Sequence, residues 1–319
     1  MPRSRSSLRP ATLALVAVPL VMTLAACGGS DSANSGDSKE KTAVEGTGRA
    51  VQTAFGEVKI DGTPKKIVTL SDVSLDTVLS LGITPVGTSA ARGAEGAPAY
   101  LSDRADGIPL VATVREPNTE AILKAEPDLI LTGPNLEKSQ YETLSAIAPT
   151  IVPAAGDWRS SLDTYGKALG KTDELDRKID ALVERAGEAG DGAEGTGVVM
   201  RWMPGGPIVM NSANMPTAML EEAGLSPLPI AEDLGKQPHS DPLSLENLTK
   251  ADADHVFIAT LNAEGDEALE AARSEKAFTR MKAVEAGRDH GVDGQVWSSS
   301  NGPIAMEKVI TDIEKALGK

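Results

Sequence analysis

Glu120-Ala-Ile-Leu-Lys-Ala-Glu-Pro-Asp128 runs directly into Leu129-Ile-Leu, and Glu246-Asn-Leu-Thr-Lys-Ala-Asp-Ala-Asp254 runs directly into His255-Val-Phe. Glu, Lys, Ala, an acid and Asp recur at the same offsets, each time just before an apolar strand. A unit repeated in this way points to two halves built alike, with the unit at corresponding places.

Outward from the first copy, short apolar runs alternate with helical patterns. Lys66 to Leu70, Thr84 to Gly87, Asp128 to Thr132 and Thr150 to Pro153 read as strands. Val73 to Leu81, Pro117 to Ala125 and Leu136 to Ile147 read as helices, the first stopped by Gly82. Around the second copy, Val198 to Trp202, Pro207 to Met210, His255 to Thr260 and Gln295 to Trp297 read as strands. Met215 to Ala223, Leu245 to Lys250, Ala277 to Ala286 and Ile304 to Leu317 read as helices. This rhythm implies mostly parallel α/β structure. Between the halves, Thr172 to Ala189 carries Leu175, Ile179, Leu182 and Ala186 on one helical face. A helix that long could be a strut joining two lobes or an ordinary surface helix, and the pattern fits both.

The chain begins with Arg3, Arg5 and Arg9, no acid, and an apolar run from Ala11 to Met22. That run falls short of the ~20 residues a membrane span needs. A basic start, a short apolar stretch and small residues at a cut site define an export signal. Leu24-Ala-Ala-Cys27 resembles the bacterial lipobox, in which Cys27 is lipidated and the chain is cut before it. Cys27 is the only cysteine, so no disulfide within the chain and no cysteine-based zinc site can form. Two acyl chains on one residue suffice for anchoring. Residues 28–48 hold few apolar side chains and no aromatics, the composition of a flexible tether. The expected organisation is a signal peptide over 1–26, lipidated cysteine and tether over 27–50, and an N-terminal lobe over 51–171. A bridging helix over 172–189 and a C-terminal lobe over 190–319 follow.

Loss of residues 1–26 removes three arginines and takes the formal charge from −15 to −18. So acidic a body disfavours nucleic acid as a partner. No GxxxxGK[ST], GxSxG, HExxH or CxxC motif occurs. His239, His255 and His290 are scattered singly, and His255 opens an apolar strand as a packed residue would. Without a nucleophile–base signature, nothing in the sequence supports an enzyme.

Several segments, in order, resemble the substrate-binding lipoproteins of bacterial ABC importers for iron–siderophore complexes and cobalamin. They are Gly56-Glu-Val-Lys-Ile, Pro64-Lys-Lys-Ile-Val, Leu81-Gly-Ile-Thr-Pro-Val-Gly87, Glu116-Pro-Asn-Thr-Glu120, Ala125-Glu-Pro-Asp-Leu-Ile-Leu131, Leu243-Ser-Leu-Glu246, Ala283-Val-Glu-Ala-Gly-Arg288, and Trp297 leading to Gly302-Pro-Ile-Ala-Met. The resemblance implies an α/β fold of two Rossmann-like lobes joined by one long helix, a ligand cleft between them, and little hinge motion. It implies no cofactor and no catalysis. It implies a monomer on the outer face of the cell membrane, of the Gram-positive type, that binds a ferric siderophore and delivers it to an ABC permease. Hydroxamate chelates are the favoured type. Cobalamin, haem or a metal ion is the alternative ligand, and an exported hydrolase the more distant reading.

The resemblance gives Glu120 and Glu246 a role, one acid per lobe docking onto arginines of the permease. The same glutamates also sit four residues before Lys124 and Lys250, the favourable order for a helical ion pair. The iron of a siderophore is already fully coordinated, so the protein would supply cationic donors and flat apolar surfaces rather than metal ligands. The ligand-binding candidates are Arg92, Tyr100, Arg115, Arg201, Trp202 and Trp297. Arg115 and Trp297 resemble an arginine and an aromatic of ferric hydroxamate binders, with Arg115 one residue closer to the glutamate than in that pattern. The alternative for all six is solvated arginines and core aromatics.

Overall fold

The computed structural model describes residues 48–114, 116–299 and 302–319; Cys27, the signal segment, most of the tether and Arg115 lie outside them. Among the described residues an antiparallel hairpin, β1 (Arg49–Thr53) and β2 (Gly56–Ile60), precedes two sheets. The first sheet contains β3 (Ile67–Leu70), β4 (Gly87–Ser89), β5 (Leu110–Ala112), β6 (Leu129–Thr132) and β7 (Thr150–Ile151). Its order is β5-β4-β3-β6-β7 and all its pairs are parallel. The second contains β8 (Gly197–Arg201), β9 (Ile208–Val209), β10 (His255–Thr260) and β11 (Asp289–Asp293). Its order is β11-β10-β8-β9, parallel except for β9. This is the two-lobed α/β architecture expected.

The sequence echo has a structural cause. Asp128 accepts the backbone N–H groups of Lys65 (2.8 Å) and Lys66 (2.9 Å), just before β3 begins. Asp254 accepts the backbone N–H and the hydroxyl of Thr196, both at 2.9 Å, just before β8 begins. In each half the acid that opens the neighbouring strand also fixes entry into the first central strand. Lys282, 2.6 Å from Asp254, holds that carboxyl well below the usual range. Buried parallel strands read as near-continuous runs of Val, Ile and Leu with few polar side chains, as Ile67-Val-Thr-Leu70 and Leu129-Ile-Leu-Thr132 do.

The Thr172–Ala189 helix buries Leu175, Ile179, Ala186 and Ala189 along one face. One apolar core joins these residues to Leu129 and Ile151 of the first sheet, Val199 and Phe257 of the second, and Val309, Ile310 and Ile313 of the closing helix Pro303–Ala316. Arg185 of the long helix grips Glu314 of the closing helix in a two-pronged pair, Nε–Oε1 2.8 Å and Nη2–Oε2 2.6 Å. The described residues form one compact unit.

Several elements differ from expectation. The strand expected over 84–87 starts only at Gly87, because Pro85 has no N–H to give a ladder. Gln295 to Trp297 is not a strand either: Asp293 caps the amides of Gln295 (2.8 Å) and Val296 (3.4 Å) and starts the Gly294–Ser298 helix. The strand of that region is β11, an edge strand and correspondingly polar. The expected 277–286 helix splits into Lys276–Thr279 and Lys282–Glu285, because Asp252 caps the Lys282 amide at 2.7 Å. Leu245–Ala251 winds as a 3-10 helix. The first strand of the described residues begins at Arg49, inside the segment expected as tether, where the guanidinium donates to the carbonyls of Ala168 and Gly62.

Candidate functional site

Parallel α/β sheets present loops at the C-terminal ends of their strands, where such folds bind ligands. Here those ends face each other. Asp72 opens the Asp72–Ser80 helix after β3, and Arg92 follows β4. From the other sheet, Arg201 ends β8, Leu261 follows β10, and Gln295 follows β11. Gln295 spans the junction: its amide donates to the Arg92 carbonyl (3.4 Å) and accepts the Ala99 N–H (2.9 Å). A Cβ at Gly93 would come within 3.1 Å of the Leu261 carbonyl, so the two rims meet closely there.

Arg201 is the unusual group. It is 8% exposed, its Nε has no hydrogen-bond partner, and its Nη2 reaches only the Met203 sulfur at 3.4 Å. It forms no ion pair among the described residues. Burial and the like charge of Arg92 push its pKa down. Arg92 itself is exposed, and its charge and backbone amide pull on the Asp72 carboxyl. Burial raises Asp72 to about 6 against the opposing pull of Arg92. Thus, among the described residues, a buried guanidinium, an exposed one and Asp72 stand at the facing strand ends.

The expected aromatics lie elsewhere. Trp202 is 3% exposed and packs edge-on against Phe278 at 5.5 Å, among Val198, Met200 and Ile258. Strand geometry separates it from Arg201, since successive side chains point to opposite faces of a sheet. Trp297 is 1% exposed, stacks on Phe257 at 4.7 Å, and donates its indole N–H to Asp312 at 2.8 Å. Both indoles are core residues rather than open ligand platforms. Tyr100 is half-buried, and its hydroxyl donates to Asp76 at 2.9 Å.

Glu120 and Glu246 occupy the first turns of the helices that lead to β6 and β10, and both are exposed. Neither pairs with its i+4 lysine among the described residues, so the helical ion-pair role is not realised. Glu120 shares an exposed helix face with Leu123, which is 60% exposed.

His255 and His290, separate in sequence, meet at the opposite end of the second sheet. His255 Nδ1 lies 3.2 Å from His290 Nε2, with the rings stacked at 5.5 Å. Burial lowers both pKa values first; the charge of His290 and then Arg288 add to it at His255 against Asp254, and Arg288 adds to it at His290 against Asp289. The unfolded chain therefore takes up protons before the folded one, and the stability this pair contributes falls as pH drops below about 6.5. The melting-temperature advantage of the wild type over His290→Gln is expected to shrink between pH 7.5 and pH 5. Among the described residues no three His, Cys, Asp or Glu side chains converge on a metal-sized site.

A family model described as periplasmic binding protein matches residues 67–289. The chain belongs to the periplasmic binding protein family. This is a family of substrate-binding proteins, not of enzymes. The chain is 32% identical over 315 residues to YfiY of Bacillus subtilis (strain 168), named a probable siderophore-binding lipoprotein, covering 92% of this chain and 94% of that one. It is 28% identical over 320 residues to YfmC of the same organism, named an Fe(3+)-citrate-binding protein, covering 95% and 96%. Among solved structures, Staphylococcus aureus SirA complexed with staphyloferrin B matches with a TM-score of 0.75 and 22% identity, over 85% of this chain and 98% of that one. That structural likeness carries the fold of this periplasmic binding protein.

Three features escaped sequence reasoning: Asp72, Gln295 and the histidine pair. Asp72 carried a local signal, an acid directly after a central parallel strand. Gln295 and the histidines carried none, because their partners lie far away along the chain.

Proposed function

We propose that this periplasmic binding protein is the extracytoplasmic, lipid-anchored receptor of an ABC importer and binds a ferric siderophore, of the hydroxamate type in preference. The observation that carries this reading is Arg201, a guanidinium buried at the facing strand ends with no ion pair among the described residues and its Nε unpartnered. An unpaired buried charge costs several kcal/mol, and an oxygen-rich anionic or strongly dipolar ligand edge offsets that cost. A ferric chelate offers such an edge and needs no metal ligand from the protein. The names of YfiY and YfmC support the ligand class.

Haem is a poorer fit. His255 and His290 sit at the strand starts, away from the cleft, and the Tyr100 hydroxyl is engaged by Asp76. Lipid attachment at Cys27 is supported by the lipobox-like Leu24-Ala-Ala-Cys27 and by relatives named lipoproteins. No helix of the described residues is long and apolar enough to cross a membrane.

Titration with a panel of ferric hydroxamate, catecholate and citrate complexes, followed by calorimetry, tests the ligand class. Binding of at least one complex, without turnover, is expected; silence across the panel removes the reading. Delivery to the permease is tested separately. Glu120→Arg combined with Glu246→Arg should abolish cellular uptake of radiolabelled ferric siderophore while ligand affinity stays as in the wild type. Loss of affinity in the double variant would show that these acids shape the cleft rather than the docking surface.

A further inference from the structure

The chain between β4 and Tyr100 forms a tongue at the facing strand ends. Its roots, Ala91 and Pro98, are buried, while Arg92, Gly93 and Glu95 between them are exposed. Two backbone bonds close the tongue on itself: the Ala91 N–H donates to the Gly96 carbonyl (2.8 Å) and the Ala94 N–H to the Ala91 carbonyl (3.2 Å). Beyond it, the Tyr100 hydroxyl is tied to Asp76 (2.9 Å) and Leu101 shares a core cluster with Leu75 and Leu79, so the tongue is rooted in the first half. Its tip meets the second half. Gly93 has a φ of +77°, which side chains adopt only under strain, and sits against the Leu261 carbonyl.

Gln295 grips the tongue from that second half. One side-chain amide accepts the Ala99 N–H at 2.9 Å and donates to the Arg92 carbonyl at 3.4 Å, so it holds both ends. The grip stands on a fixed base. Asp293 caps the helix that carries Gln295, and Val296 and Trp297 beside it are buried. A Cβ at Gly294 would overlap the Thr260 carbonyl, which shows how tightly the helix start is pressed on the end of β10. The two halves cannot draw apart at this edge without breaking both Gln295 bonds and the contact of Gly93 with Leu261.

Resting on the reading of the chain as a ferric-siderophore receptor, we infer that Gln295 is a positioning residue that clasps the 91–99 tongue across the cleft and sets how fast ligand enters and leaves. The donors and acceptors of the clasp all belong to the protein, so it forms with or without ligand and opposes entry as well as exit. Affinity is set by the groups that touch the chelate, and exchange rate by the clasp. Two hydrogen bonds, one of them long, slow each direction about tenfold.

The test replaces Gln295 with methionine, which keeps the length of the side chain and removes both bonds. Association and dissociation of a ferric trihydroxamate, or of whichever ferric complex the wild type binds, are followed by stopped-flow fluorescence, and affinity by calorimetry. Both rate constants should rise about tenfold in Gln295→Met while affinity stays within about threefold of wild type. Unchanged rates overturn the inference. Faster dissociation with unchanged association also overturns it, because Gln295 would then be part of the ligand contact. Gly93→Ala, which pushes the tongue away from Leu261, should raise both rates in the same way and supplies the measurement if the methionine variant does not fold. A wild type that binds no ferric complex overturns the functional reading itself. A wild type that binds, with rates equal to those of the variants, overturns the role of Gln295 alone.

Discussion

Replacing Arg201 with methionine is expected to weaken ferric-chelate binding about a thousandfold while raising the melting temperature of the ligand-free protein by about 5 °C. The two effects share one cause. A guanidinium that is 8% exposed, with its Nε unpartnered and only a sulfur near Nη2, is a net cost to the empty protein. Methionine fills much of the same space without charge, and apolar replacements of buried charges often stabilise by about 1–4 kcal/mol. In the complex the same guanidinium makes charge-assisted hydrogen bonds to ligand oxygen. Removing one partner of a desolvated pair of that kind costs about 2–5 kcal/mol. Calorimetric affinity and a thermal melt decide the matter. A variant that binds as tightly as wild type, or one that melts well below it, would show that Arg201 serves packing rather than recognition.

The second large effect belongs to Asp76. This carboxylate is fully buried and accepts the N–H groups of Ile304 (2.8 Å) and Ala305 (2.9 Å) together with the Tyr100 hydroxyl (2.9 Å). It thereby caps the closing helix from a residue more than two hundred positions earlier. A Cβ at Gly302 would overlap its carboxyl, so the approach depends on glycine there. Asp76→Ala orphans these three donors, at about 1–3 kcal/mol for each buried donor left unpaired. A loss of about 4–5 kcal/mol, or roughly 10–15 °C in melting temperature, is expected. Burial raises the folded-state pKa of Asp76 from 3.8 to about 6 against the pull of its hydrogen bonds. A raised folded pKa means that its stabilising contribution is full in acid and declines as pH rises through about 6. The gap in melting temperature between wild type and Asp76→Asn should therefore widen from pH 7 to pH 5. An alanine variant that melts with the wild type would sink the assignment.

The fold was legible where local sequence carried it. The paired Glu-to-Asp units announced twin sheets, and their aspartates prove to be the anchors of β3 and β8. The amphipathic face of Thr172–Ala189 was readable from spacing alone. What escaped were elements whose partners are remote. β11 is a polar edge strand that exists because β10 lies beside it. The Gly294–Ser298 helix is set by one aspartate cap inside a segment that reads as apolar strand.

Of the candidate cations, Arg92 and Arg201 stand at the facing strand ends, while both tryptophans lie in the core; Arg115 lies outside the described residues. Arg201 and Trp202 are adjacent in sequence, and adjacency suggested a shared groove. The alternation of a strand sends them to opposite faces, and that rule was available from the residues Val198 to Trp202 themselves. Trp297 looked like a ligand platform, yet its stack on Phe257 and its bond to Asp312 give it full employment in the interior. Asp72 went unnoticed because an acid at a helix start is ordinary until a second helix, loop or sheet end is brought against it.

The contact between Asp76 and the amides of Ile304 and Ala305 also bears on how the polypeptide matures. A ribosome or a translocation pore releases residue 76 long before residue 304. Until the tail emerges, the early half holds this acid with the Tyr100 hydroxyl but without the Ile304 and Ala305 amides to answer it. Completion of the first-made half thus waits on the last-made helix, and a product clipped near its C-terminus would be left unlatched at both ends.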